Sequence, residues 1–206
     1  VDGDLDLLER WREGDRGAGA ALFDRHFGTV TRFFRNKVRD GVEDLVQQTF
    51  LQCVEAKDRF KAESSFRTYL LGIANNVLRN HYRRHRRKEG RLDVQSISAQ
   101  DLTPGATTLL SQRREQQLLA EGLRRIPVDA QVVLELYYWE GLKAREIAEV
   151  VGVPEGTVRT RIRRAKQLLE TQLSELAESP QQLESTVANL EGWARSLRDK
   201  AKLDRS

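Results

Sequence analysis

The chain has 206 residues, with 35 lysines and arginines against 31 aspartates and glutamates, a net charge of +4, one cysteine and no methionine. No apolar run approaches the ~20 residues that cross a bilayer, so a cytoplasmic protein without membrane insertion is expected. A single cysteine excludes a disulfide framework, an internal redox pair and a multi-cysteine zinc site.

The charge is unevenly placed. Residues 64–88 hold seven basic groups and no acid, and 155–167 hold five against one. Two short windows therefore carry +11 while the remainder is acidic by seven. Attraction of the whole protein to polyanions is a poor account of this pattern, and two separate basic surfaces are a better one.

In chain order, the periodicity is helical and no convincing run of strand alternation occurs. Leu5, Leu8 and Trp11, ended by Gly14, predict a short first helix. Over 16–39, Phe23, Phe27, Val30, Phe34 and Val38 step by three and four, which predicts one buried face. Val42, Val46, Phe50, Cys53 and Val54 predict a second such face over 42–58, and Phe66, Leu70, Ile73, Val77 and Tyr82 a third over 65–88. Residues 89–112 lose the period and collect Ser, Thr and Gln with Pro104 and Gly105, which predicts a flexible linker.

The helical pattern resumes near Arg113, breaks at Pro127 and continues through Val132–Tyr138. It then runs over Ala144–Val151 and, after Gly152-Val153-Pro154, from Glu155 to about Glu178. Pro180 ends it. Leu183, Val187, Leu190, Ala194, Leu197 and Ala201 predict a last helix. The fold class is all-α: helical domains over 1–88 and 113–178, a linker over 89–112 and a C-terminal helical extension over 179–206.

Three helices carry candidate chemistry. Between Ala144 and Gln167 a short helix, a tight turn and a longer helix form a helix-turn-helix pattern. On its second helix Val158, Ile162, Ala165, Leu169 and Leu176 share one face. At ~100° per residue the far face carries Gly156, Thr160, Arg163, Arg164 and Gln167, with Arg159 and Lys166 on its shoulders. A buried back and an arginine-rich front suit a helix lying in the DNA major groove. Arginine forks reach guanine edges or phosphates, and threonines such as Thr157 and Thr160, with the backbone amides at the helix start, suit phosphate. The plainer alternative is a solvated amphipathic helix.

The 65–88 helix holds Arg67, Arg79, Arg83, Arg84, Arg86, Arg87 and Lys88, with Asn75, Asn76 and Asn80 interleaved with Tyr69, His81 and Tyr82. Amides can pair with base edges, rings can stack on exposed bases and cations follow the backbone, a mixture suited to strand-separated DNA. A solvated basic tail is the alternative. The 42–58 helix turns Glu43, Asp44, Gln47, Gln48 and Gln52 outward, an acidic-amide stripe that repels DNA and suits either a basic protein surface or plain solvation.

No Gly-rich phosphate loop, nucleophile elbow or paired-carboxylate pattern occurs, so no catalytic residue and no cofactor are expected. His81 and His85 have metal-compatible spacing but lack a Glu or Cys partner and sit in an arginine run, so no metal is expected either. Cys53, on an apolar face, reads as a small hydrophobe.

Glu43-Asp44-Leu45-Val46-Gln47-Gln48-Thr49-Phe50, followed by Phe66-Arg67-Thr68-Tyr69-Leu70 and Ile73-Ala74-Asn75-Asn76, resembles region 2 of the extracytoplasmic-function (ECF) sigma factors of bacterial RNA polymerase. Ile147-Ala148 with Gly156-Thr157-Val158-Arg159-Thr160-Arg161-Ile162 and Arg164-Ala165 resembles their region 4. The resemblance covers about residues 4–88 and 113–177. It implies a non-enzymatic subunit that binds core RNA polymerase and directs promoter recognition, promoter melting and initiation. In that family the positions of Asp44, Gln47 and Gln48 dock on the clamp helices of the largest polymerase subunit.

The next helix then reads and melts the −10 element, for which Arg67, Tyr69, Asn75, Asn76, Arg79, Asn80 and Arg83 are the candidates, with Asn76 at the base-capture position. The reading helix contacts the −35 element through positions matching Arg159, Thr160, Arg163 and Arg164, with Thr157 and Gln167 beside them. Promoter DNA and core polymerase are the implied partners, and an anti-sigma factor is an open one. A stand-alone helix-turn-helix regulator is the rival reading.

Three departures stand out. Gln48 replaces the family's usual Glu, which shifts docking toward Asp44 and Gln47. Lys143-Ala144 replaces a Ser/Thr cap worth about 1 kcal/mol unless a neighbour compensates. The tail after Pro180 exceeds the family's minimal length, and its stripe, with Trp193 beside it, suggests a helix packed on a partner or on the protein itself, or a solvated extension.

Overall fold

A computed structural model describes residues 3–89, 114–188 and 190. The linker expected over 89–112 and the residues Arg113, Trp193, Ala194, Leu197 and Ala201 lie outside them, apart from Glu89 at the end of a helix. Among the described residues there are nine α-helices, one 3₁₀ turn and no strand. They fall into two compact units.

The first unit holds α1 (Asp4–Arg12), α2 (Arg16–Arg35), α3 (Val42–Ala56) and α4 (Phe66–Glu89), with the 3₁₀ turn at Lys57–Arg59. Each start has a local cause. Asp15 caps α2 by accepting from the Ala18 amide at 3.1 Å, and Ser65 Oγ accepts from the Thr68 amide at 3.1 Å to open α4. Asp4 clips α1 onto α2, accepting from Arg25 at 2.7 Å and meeting the buried His26 Nε2 at 2.8 Å. The His26 hydrogen bond and the Arg25 guanidinium outweigh desolvation and pull the Asp4 carboxyl down to about 2.

The core of this unit differs from the expected stripes in two places. α2 buries Leu22, His26, Thr29, Val30, Phe33 and Phe34, whereas Phe27 is 54% exposed and Val38 falls beyond the helix end. α2 packs on α1, α3 and α4, so its buried arc is broader than one apolar stripe and takes in polar residues that hydropathy skips. Phe27 is left at the rim, its ring parallel to that of Phe50 at 6.3 Å. On α3, Leu45, Val46, Thr49, Phe50 and Cys53 are buried, but Val54 is exposed. Cys53 is wholly enclosed, and burial pushes its thiol up to about 12, the behaviour of an inert hydrophobe.

The second unit holds α5 (Arg114–Arg125), α6 (Val128–Tyr138), α8 (Glu155–Leu176), α9 (Pro180–Ala188) and the start of α7 (Ala144–Val151). Its core gathers Leu118, Leu119, Leu123, Ile126, Leu134, Tyr138, Ala165, Leu169 and Leu173. Sequence periodicity overlooked Leu173 and favoured Ile162 and Leu176, which are half-buried. At Gly122 an added Cβ would lie 2.9 Å from Leu173 Cδ2, so α5 and α8 approach as closely as they do because this position lacks a side chain. Ser179 caps α9 and Pro180 occupies its first turn. Leu183, Val187 and Leu190 then close over the core, so this part of the extension packs on its own protein.

Candidate nucleic-acid interfaces

The helix-turn-helix geometry is built from short-range chemistry. α7 buries Ile147, Val150 and Val151. Gly152 turns the chain with φ +70°, a left-handed conformation costly for side chains, while the Val153 amide bonds the Ala148 carbonyl at 3.2 Å. The Pro154 carbonyl then receives the Thr157 and Val158 amides and α8 begins. Val158 is fully buried, with Ala165 and Leu169 on the same side.

That anchoring points the opposite side of α8 outward. Thr157, Arg159, Thr160, Arg163, Arg164 and Gln167 are all exposed, so the structure brings together every residue expected on this face. Two contacts modify this face. Arg159 Nη2 donates to Glu155 Oε1 at 2.6 Å, so the first arginine of the face is held by the single acid beside it. Lys166, expected on a shoulder, instead lies over the rings of Tyr138 and Tyr137 at 5.1 and 5.8 Å, a cation–π arrangement that draws it away from the front. The missing Ser/Thr cap of α7 is partly replaced: Glu146 Oε2 accepts from the Lys143 amide at 2.8 Å, the returning half of a capping box.

α4 has to serve the core and a surface together. Asn76, Arg79 and Arg83 are exposed at spacings of three, four and seven, one continuous face, with Asn80 half-buried beside them. Asn75 is corrected: it is 3% exposed and its amide donates to a backbone carbonyl, which withdraws it from any base. Tyr69 is corrected likewise. Its hydroxyl donates to the Ala56 carbonyl at 3.0 Å, its ring leans on Phe60 at 4.6 Å, and burial raises its pKa, so it serves the α3–α4 joint. Tyr82 is buried too and offers no stacking face. Arg67 is half-buried at the first turn.

On α3, Asp44 and Gln47 are exposed and Gln48 is half-buried toward α4. Leu51, one turn further along the same stripe, is 56% exposed, an apolar member that the polar pattern concealed. Among the described residues no three His, Cys, Asp or Glu side chains converge as a metal site would need, and no helix is long and apolar enough to cross a membrane.

Family comparison agrees with this order of elements. Residues 22–88 match the sigma-70 region 2 family and residues 116–169 match sigma-70 region 4. The ECF RNA polymerase sigma-E factor of Escherichia coli (strain K12) is 32% identical over 179 residues, covering 82% of this chain and 94% of that protein. That of Haemophilus influenzae is 30% identical over 182 residues, covering 84% and 96%.

The chain belongs to the ECF sigma factors of RNA polymerase. A sigma factor of this kind directs promoter recognition. The fold of this sigma factor is also that of solved relatives. CnrH, in complex with the cytosolic domain of CnrY, superposes with a TM-score of 0.62 at 24% identity, covering 85% of this chain and all of that one. RpoE of Bartonella quintana, in complex with the anti-sigma factor NepR, gives 0.59 at 20% identity over 75% and 96%. α9 of this sigma factor lies past the region 4 match, which ends at residue 169 within α8.

Proposed function

We propose that this sigma factor is a cytoplasmic, non-enzymatic promoter-specificity subunit that engages core RNA polymerase and two promoter elements with three different helices. Asp44, Gln47 and Gln48 on α3 form the polymerase-docking stripe. Asn76, Arg79, Asn80 and Arg83 on α4, with Arg67 at its first turn, engage the melted −10 strand. Thr157, Arg159, Thr160, Arg163, Arg164 and Gln167 on α8 engage the −35 duplex. In this reading 1–88 is the region 2 domain, 113–178 the region 4 domain, 89–112 joins them and 179–206 extends the second. An anti-sigma factor, such as accompanies RpoE of Bartonella quintana, is a further partner class.

The observation that best supports this reading is the complete outward set on α8 over a buried back, six exposed side chains able to reach base edges or phosphates on one helix front. Reconstitution with core polymerase and promoter DNA tests it. The wild-type chain should bind core enzyme and start promoter-specific transcription. Asp44→Arg should weaken core binding at least ~tenfold with helicity unchanged. Asn76→Ala should reduce open complexes without altering core binding. A chain that binds promoter DNA tightly by itself and ignores core enzyme would instead be a stand-alone helix-turn-helix regulator.

A further inference from the structure

α3 and α4 enclose an open cavity of about 210 Å³, and three of its lining residues, His81, Arg84 and His85, have no role above. Leu45 and Gln48 line it from α3, and Asn80, His81, Arg84 and His85 from α4. Among the described residues its polar lining consists of one guanidinium, two imidazoles and two primary amides, without a carboxylate. Every one of these groups can donate a hydrogen bond, and they converge on one space. The imidazoles of His81 and His85 lie 4.4 Å apart, too close for both to be charged comfortably with Arg84 alongside.

We propose that this cavity is an oxyanion subsite that holds a backbone phosphate of single-stranded DNA lying along the α4 face. The inference rests on reading α4 as a DNA-binding helix. Asn80 adjoins the exposed row of Asn76, Arg79 and Arg83, so a strand tracked by that row passes the mouth of the cavity. The α3 side of the lining, Leu45 and Gln48, is uncharged. A phosphate satisfies the donors with charge-assisted hydrogen bonds and offsets the mutual repulsion of the imidazoles and Arg84.

The proposal carries a pH signature. In the free protein His81 is held below its ordinary range, first by burial and then by His85 and Arg84, so it is neutral near pH 7. A bound phosphate favours the imidazolium, so strand binding takes up protons and strengthens as pH falls.

The test is anisotropy of a labelled single-stranded −10 oligonucleotide with the full chain, at about pH 6 and about pH 8 across a salt series. The wild type should bind about tenfold tighter at the lower pH, with a salt slope steeper by about 0.7 for the added phosphate contact. His81→Gln with His85→Gln keeps hydrogen-bonding side chains, and should abolish the pH difference. Arg84→Gln should shrink the difference. Arg79→Ala, outside the cavity, should weaken binding at both pH values and leave their ratio intact. Inorganic phosphate alone should raise the NMR titration midpoint of His81.

Each alternative result has a meaning. A pH-independent wild type that still loses affinity with Arg79→Ala overturns the cavity and spares the α4 reading, whereas no strand binding at all overturns that reading. A pH difference that survives in the double histidine variant overturns the proposal. Loss of core-polymerase binding with unchanged strand binding assigns the cavity to a protein carboxylate and overturns it as well.

Discussion

α8 and α4 are both long arginine-rich helices, of 22 and 24 residues, yet they divide their surfaces differently. α8 is buried along one narrow side at Val158, Ala165, Leu169 and Leu173, and the rest of its circumference is free to present side chains. α4 packs against both α2 and α3, so Leu70, Leu71, Ile73, Ala74, Val77 and Leu78 surround most of it and Thr68 is enclosed with them, while the amide of Asn75 is buried against the Val150 carbonyl. Only a thin arc remains for contact. A polar residue on a helix whose packing is confined to one side is therefore good evidence of exposure, and the same residue on a helix covered around most of its circumference is weak evidence.

Substitutions can break or sharpen that contrast. The largest effect is expected at Leu173→Ala, where a fully buried side chain at the α5–α8 approach is truncated. It should destabilise the second unit by about 3 kcal/mol in denaturant unfolding, because the Leu118, Leu119 and Leu190 surroundings cannot collapse fully into the void. Next comes Arg163→Ala on the free side of the same helix. It should cost about 1–3 kcal/mol of −35 binding, unequally across sequence variants, and leave unfolding unchanged. Equal loss on every sequence would make it a phosphate contact.

On α4 the pattern should invert. Tyr69→Phe should lower the stability of the first unit by about 1 kcal/mol through the lost bond to the Ala56 carbonyl, while strand binding is unaffected. Reduced strand binding at full stability would return Tyr69 to the interface.

The smallest effect is expected at Asp4→Asn. Because the folded carboxyl is depressed to about 2, it contributes stability above its unfolded pKa and loses it as pH falls from about 4 toward 2. The variant should be less stable by about 1 kcal/mol at neutral pH, a partly exposed site being discounted for screening, and its acid transition should be shallower. An unaltered acid limb would show that the α1 clip is not set by this group.

Legibility in the sequence followed the same logic. The start of α8 at Glu155, the span of α7 and the front of the reading helix were all readable, because a glycine turn, a proline and a 3.6-residue period are local signals. The Glu155–Arg159 pair was also within reach, as an i, i+4 spacing. Phe27, Asn75 and Tyr69 were misplaced because each depends on how much of its helix the surrounding segments cover, and that coverage has no local signature. The cavity lined by Gln48 and His81 was out of reach for the same reason, since its walls are 33 residues apart.

Periodicity and the placement of charge were thus sufficient for an all-helical chain and two basic surfaces, since these rest on spacing along one helix at a time, while the family was legible only through the resemblance of its motif residues. Which polar groups on α4 meet solvent, and where α9 ends up, depended on packing between helices. Burial is a property of an arrangement of several segments, and the segment alone carries only the means to take part in it.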